Sequence, residues 1–342
     1  MVNVMLNSPF IIAELSGNHD QDFDTAKAMI KAAAEAGVDA IKLQTYTADT
    51  MTLNVRNEEF IIGEADSLWQ GQNLYDLYGK ACTPWEWHKP LFEYAQSLGL
   101  TAFSSPFDAS AVEFLQSLNA PLYKLASFEL TDIPLIQKIA ETGKPTIMST
   151  GMATLKEIEE AVSAFRHISN AELVLLKCTS TYPADMADSN LATIPDLAER
   201  FDCRVGLSDH TRGIGASVAS IAFGATVIEK HFVLDRSAGG VDAEFSMEPA
   251  EMAALVESCH QAFAAIGTVK YGGSETEQKA KKYRRSIYIV QDLPVGTSIR
   301  PEHIKIIRPS LGLAPKHWNE VIGRTLNADV QLGQPLSWDL LD

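Results

Sequence analysis

Two stretches decide the fold: Val205-Gly-Leu-Ser-Asp-His-Thr211 and Ile228-Glu-Lys-His-Phe232. Each is a short apolar run that breaks into polar, chemistry-bearing residues at its C-terminal end. Working outward, β-like runs of this kind recur at 10–15, 40–43, 100–104, 122–125, 145–149, 172–177, 204–207 and 226–230, eight in all. Between them, at 24–36, 109–118, 133–142, 155–167 and 214–223, apolar residues repeat at three- and four-residue spacing, which predicts amphipathic helices. A last helix is expected over 249–266. Ala36-Gly37, Leu98-Gly99 and Thr142-Gly-Lys-Pro145 supply the expected helix ends. Eight strand–helix units over residues 1–267 are the count of a TIM (β/α)₈ barrel, an α/β fold. An open doubly wound sheet fits less well, because the first turn reads Glu14-Leu-Ser-Gly-Asn-His19 and carries no glycine-rich dinucleotide fingerprint.

In such a barrel the strand C-termini carry function. Reading them in order gives Glu14, then Lys42 and Gln44, then Ser105, then Lys124 and Ser127 with Glu129 close behind. Next come Ser149, Ser180 and Tyr182, Ser208 and His210, and finally Glu229 and His231. Any single serine here suits a helix N-cap as well as a ligand. Two strand-end lysines among a ring of hydroxyls point to a bound anion such as phosphate. His210 and His231 end adjacent strands and suit one divalent metal with open positions for substrate; a hydrogen-bonded pair of histidines is the alternative. His19 is a third candidate, whereas His88, His167, His260, His303 and His317 read as surface or helix residues. Glu14 and Glu229 are expected to face each other across the barrel top as a proton-transfer pair, and a Glu14–Lys42 ion pair is the competing reading.

The insertion at 45–83 is too long for a plain connection, so a lid over the site is expected. Trp85-Glu-Trp87 after Thr83-Pro84 reads as a helix start. Residues 268–285, rich in Gly, Glu and Lys, read as a linker, and 286–342 as a small unit of short strands and turns.

The chain has 342 residues and a formal net charge of -16. That charge argues against nucleic acid and anionic membranes as partners. It is uneven: Thr268 onward carries 11 basic and 8 acidic side chains, the remainder 17 and 36. No run approaches the ~18 apolar residues of a membrane span. Residues 1–9 show no secretory pattern, and the four cysteines have no framework spacing, so a reducing, cytoplasmic location is expected.

Phe10-Ile-Ile-Ala-Glu-Leu-Ser-Gly-Asn-His19, Ile41-Lys-Leu-Gln-Thr45, Tyr123-Lys-Leu-Ala-Ser127, Met148-Ser-Thr-Gly-Met152, Lys177-Cys-Thr-Ser-Thr-Tyr-Pro183 and the two opening stretches together resemble the sialic acid synthase family, in order and over nearly the full length. Gly296, Arg308-Pro309, Gly323-Arg324 and Gly333 look like its antifreeze-like (SAF) β-clip domain. Leu68-Trp-Gln-Gly-Gln-Asn-Leu-Tyr75 with Thr83-Pro-Trp-Glu-Trp87 looks most like the pseudaminic branch. Ser180 stands where N-acetylneuraminate synthases usually carry Asn. The resemblance implies condensation of phosphoenolpyruvate with an acetamido-sugar, releasing phosphate. For that branch the sugar is 2,4-diacetamido-2,4,6-trideoxy-altrose; N-acetylneuraminate or legionaminic acid synthesis is the alternative on this scaffold, and a non-catalytic carbohydrate-binding protein the alternative of another class. It further implies one Mn²⁺, Mg²⁺ or Co²⁺ ion on His210 and His231, Glu14 or Glu229 as base, and Lys42, Lys124, Ser127, Ser149 and Ser208 on phosphate and carboxylate. Gln44, Tyr182 and Asp242 would meet the sugar or metal-bound water, with Ser105 and Ser180 beside them. Family members form domain-swapped homodimers in which an arginine reaches the partner's barrel, and Arg308 matches it.

Overall fold

The computed structural model describes residues 8–64 and 67–342. The reading of residues 1–9 as free of a secretory pattern therefore falls largely outside the described residues. The chain divides into two compact units, Met1–Gly267 and Thr268–Asp342.

In the first unit β1 (Phe10–Glu14), β2 (Ala40–Thr45), β3 (Thr101–Pro106), β4 (Tyr123–Leu125), β5 (Thr146–Ser149), β6 (Leu173–Cys178), β7 (Arg204–Asp209) and β8 (Val227–His231) close into a barrel in sequence order. Every pairing is parallel, and β1 returns to β8 with Ile12 opposite Glu229 and Glu14 opposite His231. The principal helices are α1 (Phe23–Glu35), α2 (Ala48–Met51), α3 (Leu74–Ala81), α4 (Trp85–Ser97), α5 (Ala109–Ser117), α6 (Ile133–Glu141), α7 (Leu155–Ile168), α8 (Thr193–Phe201), α9 (Gly215–Ala222) and α10 (Pro249–Ile266). Their starts are chemically marked. Asp22, Asp108 and Asp132 accept backbone N–H bonds at the mouths of α1, α5 and α6, and Thr154 makes a capping box with Glu157 on α7.

The two-residue period of the strands sorts the side chains. Ile11, Ala13, Ile41, Leu43, Leu175 and Ile228 point outward into a large core shared with the helices. Phe10, Ile12, Ala40, Phe103, Leu122, Ile147, Val174, Leu176 and Val227 form a separate buried plug inside the barrel. Continuing each inward row by two residues reaches Glu14, Lys42, Ser105, Lys124, Ser149, Cys178 and Glu229. The plug fills the lower barrel, and polarity begins one layer above it.

The 45–83 insertion holds α2 and α3, and its Ile61 bridges Asn73. Residues 65–66 of it lie outside the described residues. Trp85 starts α4, stacks on Phe114 at 4.7 Å and donates to the Tyr46 carbonyl, as expected of a helix start.

In the second unit β9 (Ser286–Ile289) pairs antiparallel with β10 (Ile304–Ile307) over a small core containing Ile287, Ile299, Val321 and Leu336. The stretch 268–285, expected as a linker, is more structured than that. It carries α11 (Glu275–Ala280), because Ser274 and Glu277 form a capping box, and Lys281 and Lys282 offer carbonyls to Ser310. One further turn, α12 (Trp318–Val321), follows. Among the described residues no helix is long and apolar enough to cross a membrane.

Candidate active site

A cavity of about 430 Å³ opens at the C-terminal ends of the strands. Lys42, Gln44, Lys124, Ser127, Ser149, Tyr182, Ser208, His210, Glu229, His231 and Asp242 all line it. Glu14, Ser105 and Ser180 do not. Glu14 is wholly buried behind Lys42 and Gln44, Ser105 accepts from Lys42 at 3.3 Å, and the Ser180 hydroxyl lies 3.7 Å from the Cys178 sulfur. Arg308 is an exposed residue of the second unit.

The floor is a cluster of four buried charges. Lys42 Nζ stands 2.8 Å from Glu14 and 3.3 Å from Glu229, and Lys124 Nζ stands 3.9 Å from Glu229. The two glutamates were expected opposite each other. They sit instead on neighbouring strands, because β1 closes the barrel against β8, and they share Lys42. Burial raises the Glu14 carboxyl to about 7, against the pull of Lys42. Burial also works to raise Glu229, but Lys124 and Lys42 outweigh it and hold this carboxylate below its ordinary range. Burial lowers Lys124 to about 8. A floor with Glu14 protonated carries one excess positive charge, which suits an arriving anion. Lys124 donates to Ser149 Oγ at 2.7 Å, and Ser208 donates to Glu229 at 3.2 Å.

Above Glu229, the His210 and His231 rings lie 5.3 Å apart. His210 Nδ1 is 2.9 Å from the Thr179 carbonyl, so it carries a proton and Nε2 is the atom left to face a ligand; burial works to lower this imidazole, but Cys178 and the Thr179 carbonyl outweigh it and raise it above its ordinary range. Burial, reinforced by His210 and the lysines, holds His231 far below the usual histidine range, hence neutral. His231 Nδ1 has no hydrogen-bond partner and Asp242 Oδ2 lies 3.7 Å from it; Glu229 Oε2 is likewise buried and unpartnered. A neutral His231 with orphaned atoms beside it, next to the second imidazole of His210, fits a divalent ion. Among the described residues no three His, Cys, Asp or Glu side chains are arranged as a complete ligand set. The pair would therefore leave positions for water and substrate oxygens.

The remaining histidines are structural. His19 bonds Thr83, and burial lowers it to about 4. His88, expected at the surface or on a helix, is on α4 but fully buried, bonded to Thr45 at 2.8 Å. His303 is buried too, its Nδ1 accepting from the Arg300 N–H.

Further residues lie in or beside the site, and of these only Glu129 is noted in the sequence reading. Ser16 adopts a left-handed backbone (φ 48) and bonds Asp242 and Gln44. Cys178 continues the inward row of β6 and could have been found by counting in twos. Glu129 lines the wall with Oε2 buried and unpartnered, and burial raises it to about 7. Phe245 packs against both rings of the histidine pair, at 6.0 and 4.9 Å. The Gly151 N–H donates to Ser127 Oγ at 3.0 Å, and a Cβ there would collide with Ser180 Oγ and come within 2.8 Å of Ser127 Oγ.

A polar, lysine-floored cavity with an imidazole pair at the top of a (β/α)₈ barrel defines an enzyme that binds an anionic substrate. Comparison with known proteins narrows the class. Residues 29–271 match the NeuB family and 284–342 the SAF domain. The pseudaminic acid synthase of Helicobacter pylori is 44% identical over 336 residues, 98% of each chain. The N,N'-diacetyllegionaminic acid synthase of Legionella pneumophila is 37% identical, covering 97% of this chain and 94% of its own. The crystal structure of an N-acetylneuraminic acid synthetase from Leptospira borgpetersenii, in complex with citrate, superposes with a TM-score of 0.72 at 33% identity, over 80% of this chain and 90% of that one. The chain belongs to the NeuB family, the sialic acid synthases.

Proposed function

We propose that the protein is a pseudaminic acid synthase, joining phosphoenolpyruvate to 2,4-diacetamido-2,4,6-trideoxy-altrose with release of phosphate. The charged floor of Lys42, Lys124, Glu14 and Glu229 beneath the His210–His231 pair carries this reading. The choice of sugar rests on similarity, since the Helicobacter pylori pseudaminic acid synthase is nearer than the legionaminic acid synthase.

Lys42, Lys124 and Ser149 bind the phosphate and carboxylate of phosphoenolpyruvate by charge and hydrogen bonds. His210 and His231 would hold a Mn²⁺, Mg²⁺ or Co²⁺ ion, which when bound polarises the open-chain aldehyde. Carbon 3 of phosphoenolpyruvate attacks the aldehyde carbon, forming the new C–C bond, and the aldehyde oxygen takes a proton. Water adds at carbon 2, giving its proton to the unpartnered Glu229 Oε2. The C2–O bond to phosphate then breaks as the C2 hydroxyl becomes the ketone, its proton leaving with the phosphate. Glu229 suits the base role because the lysines keep it ionised, whereas Glu14 is half-protonated near neutrality. Gln44, Tyr182 and Asp242 contact the sugar. The mildly basic second unit against an acidic barrel supports a homodimer in which Arg308 serves the partner's site. Four free cysteines fit a reducing cytoplasm.

The test is phosphate release from phosphoenolpyruvate with the altrose sugar, its legionaminic-type manno isomer or N-acetylmannosamine, each with added Mn²⁺. Turnover confined to the altrose sugar is expected. Preference for either other sugar would reassign the enzyme within the family.

A further inference from the structure

The cavity has two chemically different walls. Its floor is charged. Its outer wall comes from the 45–83 insertion, with Tyr46 and Tyr78 flanking it; among the described residues from 51 to 77 the side chains that reach the cavity, Met51, Ile62, Trp69, Leu74 and Leu77, are apolar. The only polar atom among them, the Trp69 indole Nε1, is already spent on the Val241 carbonyl at 2.9 Å. The insertion is otherwise rich in Asn, Asp, Glu, Gln and Thr, so this apolar face is a local property. It is also a built wall. Ile62 N–H donates to the Gln72 carbonyl at 2.9 Å, Gly71 N–H donates to the Ile62 carbonyl at 2.7 Å, and Asn73 both caps α3 and donates to Val55.

We infer that this wall is the pocket for the deoxygenated end of the sugar, with Ile62 and Leu74 as specificity-determining residues that select a methyl over a hydroxymethyl at carbon 6. The inference rests on the proposed function, which sets the aldehyde end of the sugar at the histidines and so sends its far end outward toward the insertion. A methyl pressed on this wall gains apolar contact. A hydroxyl there gives up its water, and the side chains of Met51, Ile62, Leu74 and Leu77 offer it no donor or acceptor in return. Tyr46 and Tyr78, whose rings meet at 5.9 Å on the same side of the cavity, offer phenol O–H groups suited to acetamido oxygens, so amide recognition and methyl recognition use different side chains.

The experiment compares kcat/KM for 2,4-diacetamido-2,4,6-trideoxy-altrose with that for its 6-hydroxy counterpart, in the full-length enzyme and in Ile62→Asn, Leu74→Asn and Leu74→Met. The unaltered enzyme should prefer the 6-deoxy sugar by roughly 10- to 100-fold, the range an apolar pocket gives against an added hydroxyl. Each Asn variant should cut that preference to within about threefold while the KM for phosphoenolpyruvate stays put, and Leu74→Met should keep it. Equal use of both sugars by the unaltered enzyme overturns the inference, and so does an Asn variant that turns over with the full preference. Failure of the proposed function looks different: N-acetylmannosamine would be consumed and neither altrose sugar would, which removes the pocket's ligand along with the reading it rests on.

Discussion

Strands β7 and β8 carry two buried charge clusters back to back, and these differ in one respect. Outside the barrel, Lys230 donates to Asp209 at 2.9 Å and to the Thr211 carbonyl at 2.6 Å, while Asp209 also accepts from Ser217 and the Thr211 N–H. Burial works to raise Asp209, and Lys230 with Ser217 more than offsets it, so the carboxylate lies below its usual range. Inside the barrel, on β8 one residue to either side of Lys230, Glu229 Oε2 and His231 Nδ1 have no partner. The outer pair is closed by the chain itself. The inner cluster keeps two polar atoms free for a bound ion, water or substrate. A buried charge whose every lone pair is filled fixes structure; one left partly open is where chemistry can occur.

That contrast can be broken from either side. The largest effect is expected at the open end. His210→Ala and His231→Ala should each cost several kcal/mol of transition-state stabilisation, at least ~10³-fold in kcat, and chelation of the unaltered enzyme should abolish turnover until Mn²⁺ is restored. Full, chelator-resistant activity in either variant would remove the metal from the site. Glu229→Gln should lower kcat by ~10²–10⁴-fold by steady-state kinetics, and because it takes the carboxylate from the buried Lys124 it should lower the melting temperature as well. The closed pair should behave in the opposite sense. Asp209→Asn leaves Lys230 buried without its counter-charge and should cost about 3–5 kcal/mol in urea unfolding, with kcat of the folded protein within ~10-fold of normal.

A gentler test uses Glu129, another open carboxyl. Burial raises it from 4.5 to about 7. Its contribution to stability is therefore present below pH 4.5 and is lost as pH rises through 7. Gln cannot ionise, so Glu129→Gln should gain about 1–3 kcal/mol on the unaltered protein between pH 5 and pH 8, measured by denaturant midpoints. A constant difference across that range would mean that Glu129 ionises normally. The smallest effect belongs to the lid. Trp69→Phe keeps the ring against Tyr182, loses the bond to Val241, and should raise the sugar KM by roughly fivefold, worth about 1 kcal/mol.

The barrel was legible because its signal is repeated. Eight apolar runs separated by periodic helices place each strand to within a residue or two, and the strand ends then name Lys42, Lys124, Ser149 and Glu229 without further help. Closure was the harder part. Strands β1 and β8 stand at opposite ends of the barrel sequence, so Glu14 and Glu229 read as opposed until the ring is joined and they become neighbours. Ser16 and Phe245 were illegible for a different reason. Their positions depend on irregular backbone, a left-handed residue after β1 and a short turn after β8, and irregular backbone has no period to read. His88 misled because polar residues on helices are usually exposed, whereas this one is matched to a buried Thr45 hydroxyl.

Gly151 carries a consequence for anyone who would alter this enzyme. The insertion wall faces open cavity, so residues such as Ile62 and Leu74 can be exchanged and new sugars sampled. At 151 there is less latitude, since one added carbon meets the hydroxyls of Ser180 and Ser127, and both would have to turn away from it. A randomised library of the barrel mouth should therefore return wide diversity at the lid and mostly glycine or alanine at 151, dividing the site into a half that evolves freely and a half that evolves slowly.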